Sequence, residues 1–204
     1  MIGRSTRGLW IAVLILWPVL ALADLPPASQ TVRQAIDELY RTLDQTGCDV
    51  RNDPERLHEV IERVLLPYTD MRAMARWVLG RHWRAASPEQ RARFESAFRR
   101  LLVRTYGAAV REARPDDIRF LPERAGSRDT RRVVRTEIKR RGAPPVPVDY
   151  YMHLVEGRWR LYDVRIEGVS LITNYRGSFA NIIAGHGLDG LIERLDAKTS
   201  APAP

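Results

Sequence analysis

The chain has 204 residues, of which 45% are hydrophobic, and this length and composition suit a single domain with one sizeable core. Its 33 lysines and arginines outnumber 25 acidic residues, and the resulting charge of +8 favours nucleic acid, anionic membranes or acidic proteins as partners. The only cysteine, Cys48, excludes a disulfide within the chain.

The first 23 residues have the layout of a secretory signal peptide. Arg4 and Arg7 form a short basic start, residues 9–20 are almost wholly apolar, and a small-residue cleavage site ends at Ala23 before Asp24. The apolar run is shorter than the roughly 20 residues of a spanning helix, although an uncleaved anchor is the alternative. We expect a mature protein that begins at Asp24 and is free in the periplasm, where nucleic acid is not a natural partner.

Three short amphipathic helices are predicted in the first part of the mature chain. Apolar residues recur at helical spacing over 29–47, 53–67 and 70–80. Asp53 and Asp70 stand where a helix N-cap is expected, and the segments end at glycine or proline. The pattern therefore predicts short helices joined by tight breaks.

A longer helix is predicted from Ser87 to about Pro115. Ser87 and Gln90 are spaced as a capping box, and one face of the helix is apolar. Its other face carries Arg91, Arg93, Arg99, Arg100, Arg104 and Arg111. We interpret this basic face either as a solvated surface or as a docking surface for a partner or for lipid phosphates.

After this helix the pattern changes to strands. Residues 118–120, 133–138, 146–154 and 159–166 are rich in β-branched and aromatic residues or alternate with a period of two. The turn signals between them are a polar turn at 123–129, a Gly/Pro turn at 140–145 and Glu156-Gly157. Consecutive strands with short turns predict an antiparallel sheet with one dry face and one wet face. In the last strand, strict alternation predicts one face of Trp159, Leu161, Asp163 and Arg165, and another of Arg160, Tyr162, Val164 and Ile166.

The chain then returns to helix. Gly168 breaks the last strand, and Ser170 is placed to cap a helix that runs to about Ala184. A glycine-rich break at 185–187 precedes a last helix, and residues 199–204 are predicted to form a disordered tail. The fold class that follows is α+β, with N-terminal and C-terminal helices covering a curved antiparallel sheet of about four strands in one domain, 24–198.

Several segments resemble the MlaC (toluene-tolerance) family. The run Trp159, Tyr162, Asp163, Val164, Glu167, Gly168, Val169, Ser170 is similar to the family's C-terminal signature. Further similar segments, in the same order as in the family, are 65–68, 78–80, 87–91 with Phe94 and Phe98, 106–107 and 187–191. The resemblance covers nearly all of the mature chain.

This resemblance implies both a fold and a function. The fold is the cone-shaped one of the nuclear transport factor superfamily, elaborated with extra helices. The function is that of a monomeric periplasmic carrier whose cargo is phospholipid. The carrier serves an inner-membrane ABC transporter complex and an outer-membrane lipoprotein/porin complex of the Mla type, which maintain the lipid asymmetry of the outer membrane. It needs no catalytic residue, metal or cofactor.

The candidate lipid pocket comprises the apolar faces of the long helix, the strands and the C-terminal helix. These faces supply Phe94, Phe98, Leu101, Leu102, Tyr106, Val134, Ile138, Tyr150, Met152, Trp159, Leu161, Tyr162, Val164 and Leu171. Such a set ordinarily packs into itself. The resemblance implies instead that sheet and helices hold the acyl chains of a phospholipid between them.

Catalytic alternatives rest on few residues. The four histidines are scattered and lack metal-ligand spacing, and Ser170 is better explained as a helix cap than as a nucleophile. Asp149, Tyr151 and His153 share one face of a strand, which we expect to be the wet face. Asp163 is the best general base for an enzyme acting on an apolar small molecule, which is the alternative function; a structural adaptor with a filled core is a third.

Overall fold

The structure is a computed structural model in which residues 27–47, 50, 52–122 and 130–200 are described. The predicted signal peptide, Cys48, the polar turn at 123–129 and the last four residues lie outside these described residues.

The helical part of the fold begins as the sequence predicts. The helices are α1 (Ala28–Gln45), α2 (Pro54–Leu65), α3 (Met71–Leu79), α4 (Arg81–Ala85) and α5 (Pro88–Glu112), with 3-10 turns at Leu66–Tyr68 and Pro115–Asp117. The short helix α4 was not predicted. It follows Gly80, whose φ of 54° turns the chain sharply between α3 and α4.

Local caps explain where these helices start. Asp53 Oδ1 accepts hydrogen bonds from the backbone N–H groups of Glu55 and Arg56 at 3.0 and 3.2 Å. Asp70 Oδ1 accepts one from Ala73 N at 2.8 Å. Ser87 and Gln90 form the predicted reciprocal capping box. Each cap satisfies backbone donors that have no partner within the helix, so these predictions are confirmed.

One antiparallel sheet follows, and it confirms the predicted fold class. Its strands are β1 (Ile118–Phe120), β2 (Arg131–Arg140), β3 (Ala143–Val155), β4 (Arg158–Ile166) and β5 (Val169–Ser170), in the order β1-β2-β3-β4-β5. The described sheet has five strands because Val169 and Ser170 pair with the end of β4. The predicted turn over residues 140–145 is shorter than expected, because the prolines at 144 and 145 belong to β3. They stand before Val148, the first residue of β3 that pairs with β4, where a missing N–H is tolerated.

Two hairpins of the described sheet close on a pair of residues that both have positive φ. Glu156 and Gly157 have φ values of 49° and 73°, and Glu167 and Gly168 have 49° and 84°. A two-residue turn with both φ values positive matches the twist of the strands that it joins. The hairpin predicted at Glu156-Gly157 is therefore confirmed, and a second one leads into β5.

A β-bulge lies in the middle of β4. Tyr151 pairs with Asp163, but the next residue of β3, Met152, pairs with Leu161, so Tyr162 is an extra residue on β4. An extra residue reverses the alternation beyond it. The predicted strict alternation along β4 is therefore wrong: Trp159 and Leu161 share the inner face of the sheet, toward the helices, with Val164 and Ile166, whereas Asp163 and Arg165 lie on the outer face.

The C-terminal helix α6 spans Leu171–Ser200. Ser170 Oγ accepts a hydrogen bond from Thr173 N at 3.1 Å, as expected of a cap. The predicted break is confined to Gly187, with φ 67° and ψ 179°. The helix also continues through Thr199 and Ser200, so the predicted tail begins too early. In the described part of the chain, no helix combines the length and apolarity required to cross a bilayer.

Buried apolar residues of the described ranges form three clusters. The largest joins α3, α4, α5 and α6, and it contains the stacked rings of Phe94 and Phe98, whose centroids lie 5.6 Å apart. A second cluster joins α1 and α2, and a third packs the start of α1 against Val134, Met152 and Trp159 of the sheet. The helices therefore cover the inner face of the sheet.

The arginine face of α5 holds other helices in place. Arg93 pairs with Asp189 at 2.9 Å and Arg100 with Asp196 at 2.6 Å, both on α6. Arg91 Nε donates to the backbone oxygen of Trp83 at 2.9 Å. Arg91, Arg93 and Arg100 therefore have partners within the molecule, and Arg93 and Arg100 also remain about half exposed to solvent.

Candidate binding cavity

A cavity of about 330 Å³ lies between α1, α2 and α5 and the inner face of the sheet. Its sheet side is formed by Ile118, Ile138, Val148, Tyr150, Met152, Leu161, Val164 and Ile166. Its helix side includes Val32, Ala35, Ile36, Leu39, Ile61, Leu65, Leu102, Val103, Tyr106, Ala109, Val110 and Ala113. The small side chains at Ala35, Ala109 and Ala113 do not reach the opposite wall, which leaves space between the layers.

Three hydroxyl groups of the wall donate hydrogen bonds to protein acceptors. Tyr40 OH donates to Val110 O at 3.1 Å, Tyr68 OH donates to Glu38 Oε2 at 2.6 Å, and Thr69 Oγ1 donates to Leu65 O at 2.9 Å. A paired hydroxyl has little need of a polar ligand. What these residues present to the cavity is therefore mainly carbon.

Two further tyrosines of the wall have pKa values raised above the ordinary one. Burial raises the pKa of Tyr106, and the neighbouring Tyr175 raises it further. Burial likewise raises the pKa of Tyr150, against a smaller opposing effect of its hydrogen bond with Thr136. Because desolvation favours the uncharged phenol, these residues add ring surface to the cavity rather than charge.

The predicted pocket residues divide into two groups. Those that line the cavity are Leu102, Tyr106, Ile138, Tyr150, Met152, Leu161, Val164 and Leu171. Phe94, Phe98 and Leu101 instead pack in the helical cluster against α6. Val134 and Trp159 pack under the start of α1. Tyr162 lies on the outer face of the sheet, with its ring centroid 5.0 Å from that of His153.

Sequence reasoning missed the contribution of α1 and α2 to the wall. Ile36, Leu39, Ile61 and Leu65 line the cavity, and they belong to the apolar stripes from which both helices were predicted. Their periodicity shows that these faces are covered, but it does not show whether the cover is another helix or an open space.

Asp163 does not face the cavity. Its Oδ2 accepts a hydrogen bond from Ser170 Oγ at 2.6 Å, and its Oδ1 accepts one from Ile172 N at 3.2 Å. The bulge at Tyr162 turns this carboxylate to the outer face, where it ties β4 to the start of α6. The hypothesis of a general base inside the cavity therefore fails at this residue.

The row Asp149, Tyr151 and His153 lies on the outer face of the sheet, as predicted from its alternation with the residues that line the cavity. His153 Nε2 lies 3.0 Å from Asp70 Oδ2, so this histidine connects β3 to the start of α3. No group of three His, Cys, Asp or Glu side chains within the described ranges is arranged to hold a metal ion.

An antiparallel sheet and its covering helices thus enclose an apolar cavity, which defines an α+β protein suited to binding a ligand rich in hydrocarbon. The family described as MlaC protein matches residues 33–197, and the chain belongs to this family. The resemblance seen in the sequence is confirmed.

Individual relatives agree with this assignment. The chain is 25% identical over 185 residues to the intermembrane phospholipid transport system binding protein MlaC of Haemophilus influenzae, covering 89% of this chain and 86% of that protein. It is 26% identical over 190 residues to the toluene tolerance protein ttg2D of Pseudomonas putida, covering 93% and 87%.

A solved structure shares the fold. The phospholipid-binding protein from Ralstonia solanacearum, determined in complex with a phospholipid, is similar with a TM-score of 0.76 and 29% sequence identity, covering 85% of this chain and 97% of that chain.

Proposed function

We propose that this protein is a periplasmic phospholipid carrier that holds acyl chains in the cavity between its helices and its sheet. The observation that carries the proposal is the cavity itself, of about 330 Å³ and lined almost wholly by carbon. The similar fold of a phospholipid-bound relative supports the same assignment. Of the residues selected from the sequence, we assign the acyl-chain wall to the eight that line this cavity, from Leu102 to Leu171.

The free energy of removing acyl chains from water requires an apolar cavity. Each methylene group removed from water contributes about 0.8 kcal/mol, so a tail with about 15 buried methylene groups gains roughly 12 kcal/mol. A carrier that left a tail exposed in water could not compete with a bilayer. The tails therefore belong inside, and the phosphate and glycerol belong at the edge of the cavity, where water reaches them.

Family and sequence together support a proposal for the carrier's place in the cell. We propose export by the signal peptide of residues 1–23, cleavage after Ala23, and shuttling as a monomer between an inner-membrane ABC transporter complex and an outer-membrane lipoprotein/porin complex. Membership of the MlaC family and the intermembrane transport named for the Haemophilus relative support this. Exchange requires only a difference in lipid affinity between carrier and partner, so we propose binding without catalysis or a cofactor.

The direct test is to identify what the protein carries. The mature chain, purified from the periplasm of a Gram-negative host without detergent, is extracted and analysed by mass spectrometry. We expect co-purified phospholipid in a fixed ratio to protein. If the folded protein yields none, even after incubation with phospholipid vesicles, the proposal is wrong.

A further inference from the structure

Two opposite charges interrupt the otherwise uncharged wall of the cavity. Among the described residues that line it, only Arg99 on α5 and Glu62 on α2 are charged. Arg99 Nε lies 3.3 Å from Glu62 Oε2, and the two side chains are 33% and 29% exposed. A side chain that both lines the cavity and reaches solvent stands at its edge, so this pair marks a place where the apolar interior meets water.

The arginine of this pair has unused hydrogen-bonding capacity. Arg99 Nε is buried and has no hydrogen-bond acceptor among the described residues, because the Glu62 oxygen is close enough for an ion pair but not aligned with the N–H. A guanidinium group carries five N–H donors, and Arg99 donates none of them in hydrogen-bonding geometry to the described part of the chain.

The next residue on the same helix makes the contrast clear. Arg100 donates to Ser96 Oγ at 2.7 Å and to Asp196 Oδ1 at 2.6 Å, outside the cavity. Helix α5 therefore carries one arginine satisfied by protein partners and, beside it, one whose donors are left for another acceptor at the cavity edge.

From this arrangement we propose that Arg99, held in place by Glu62, binds the phosphate of the lipid head group. This inference rests on the proposed function. A phosphodiester has two non-bridging oxygens that share one negative charge and match the planar fork of a guanidinium, and tails buried in the cavity would bring the phosphate to its edge. Since Glu62 already balances the positive charge, the tails supply most of the affinity. Arg99 supplies discrimination between a phospholipid and a lipid that lacks phosphate.

The test is a competition between lipids with the same tails. The protein is incubated with vesicles that contain phosphatidylglycerol and diacylglycerol of identical acyl chains, re-isolated, and its lipids are measured by mass spectrometry. We expect the wild type to enrich phosphatidylglycerol over diacylglycerol and Arg99→Gln to lower that enrichment about tenfold or more, as expected for losing charged hydrogen bonds. The matched control Arg100→Gln should leave it unchanged.

The outcomes separate this inference from the carrier function. If the wild type and Arg99→Gln both carry lipid with the same enrichment, the head-group assignment is overturned and the carrier stands. A wild type that takes up neither lipid overturns the carrier proposal itself. Should Arg99→Gln fail to fold, Arg99→Met supplies an unbranched apolar side chain that suits the wall. Wild-type enrichment in that folded variant would equally reject a role for the guanidinium.

Discussion

Neighbouring residues on α5 have different surroundings, and Phe98 and Leu102 show this most clearly. Both belong to the apolar stripe that the sequence predicts. Phe98 is fully buried and stacks on Phe94 within the helical cluster, whereas Leu102 lines the cavity. We therefore expect substitutions at Phe98 to act on folding and substitutions at Leu102 to act on binding.

A charge at Leu102 provides a direct test of the cavity. Leu102→Glu would place a carboxylate against hydrocarbon without a partner, which is costly, so we expect the lipid carried per protein to fall at least about tenfold. Ala108→Glu, on an exposed part of the same helix, is the matched control and should carry lipid normally. Circular dichroism shows whether both variants are folded. Normal lipid content in folded Leu102→Glu would contradict the assignment of the wall.

The role of Asp163 can be separated from catalysis by Asp163→Asn. In asparagine an NH2 group replaces Oδ2, so Ser170 Oγ can no longer donate at that position, and the bond from Ile172 N loses the charge of the carboxylate. We expect a loss of about 1 to 2 kcal/mol in the free energy of unfolding, measured in urea, with unchanged lipid content. Loss of lipid without loss of stability would show that this side chain acts on the ligand.

His58 makes stability depend on pH. Burial lowers the pKa of this histidine, and Arg104 lowers it further, against smaller opposing effects of Glu62 and Glu55. Between its ordinary pKa of about 6.5 and the lower folded value, the unfolded chain binds more protons than the folded one. The stability associated with neutral His58 is therefore present above about pH 6.5 and is lost as the pH falls.

The measurement is urea unfolding at a series of pH values from 8 to 5. We expect the decrease in stability below about pH 6.5 to be smaller in His58→Gln than in the wild type. Identical profiles would show that His58 does not contribute to this dependence.

At the scale of elements, Gly187 and Gly185 have opposite roles in α6. Gly187 has φ 67° and ψ 179°, a conformation that is essentially restricted to glycine, so Gly187→Ala should lower the free energy of unfolding by about 1 to 3 kcal/mol. Gly185 is helical, and an added Cβ would meet no atom within 4 Å. Gly185→Ala should therefore raise the free energy of unfolding by about 0.5 to 1 kcal/mol. Urea unfolding measures both, and equal effects would contradict the break at Gly187.

The bulge at Tyr162 is a second property of an element rather than of a residue. A regular β4 would place Leu161 and Val164 on opposite faces of the sheet. With the extra residue, both line the cavity and Asp163 leaves it. The same insertion therefore completes the apolar wall and removes a carboxylate from it.

For the whole molecule, an unfilled cavity lowers stability and a bound lipid restores it. Side chains around an empty space lose contacts that a filled interior would have, and a ligand that binds only the folded state stabilises it by about 2.7 kcal/mol at 100 times its dissociation constant. We expect delipidated protein to unfold at a lower temperature than lipid-loaded protein. Added phospholipid should raise the unfolding temperature of the delipidated protein to that of the loaded one. Calorimetry measures this. An unfolding temperature independent of lipid content would argue against specific binding.

The sequence by itself determined the local features. Helix starts at Asp53, Asp70 and Ser87, and the hairpin at Glu156-Gly157, follow from side chains and backbone preferences within a few residues. The order of helices and strands then determined the fold class. The apolar stripes showed which faces are covered.

Only the tertiary structure decided what covers them. That Phe98 meets α6 while Leu102 meets a cavity, that Tyr162 forms a bulge, and that Arg99 faces Glu62 at the cavity edge depend on elements far apart in the chain. Periodicity shows that a side chain is removed from water, but it does not show whether the side chain lies in a core or at a cavity wall. Burial in either place favours the same apolar residues. Whether the space opposite is filled depends on how sheet and helices pack together.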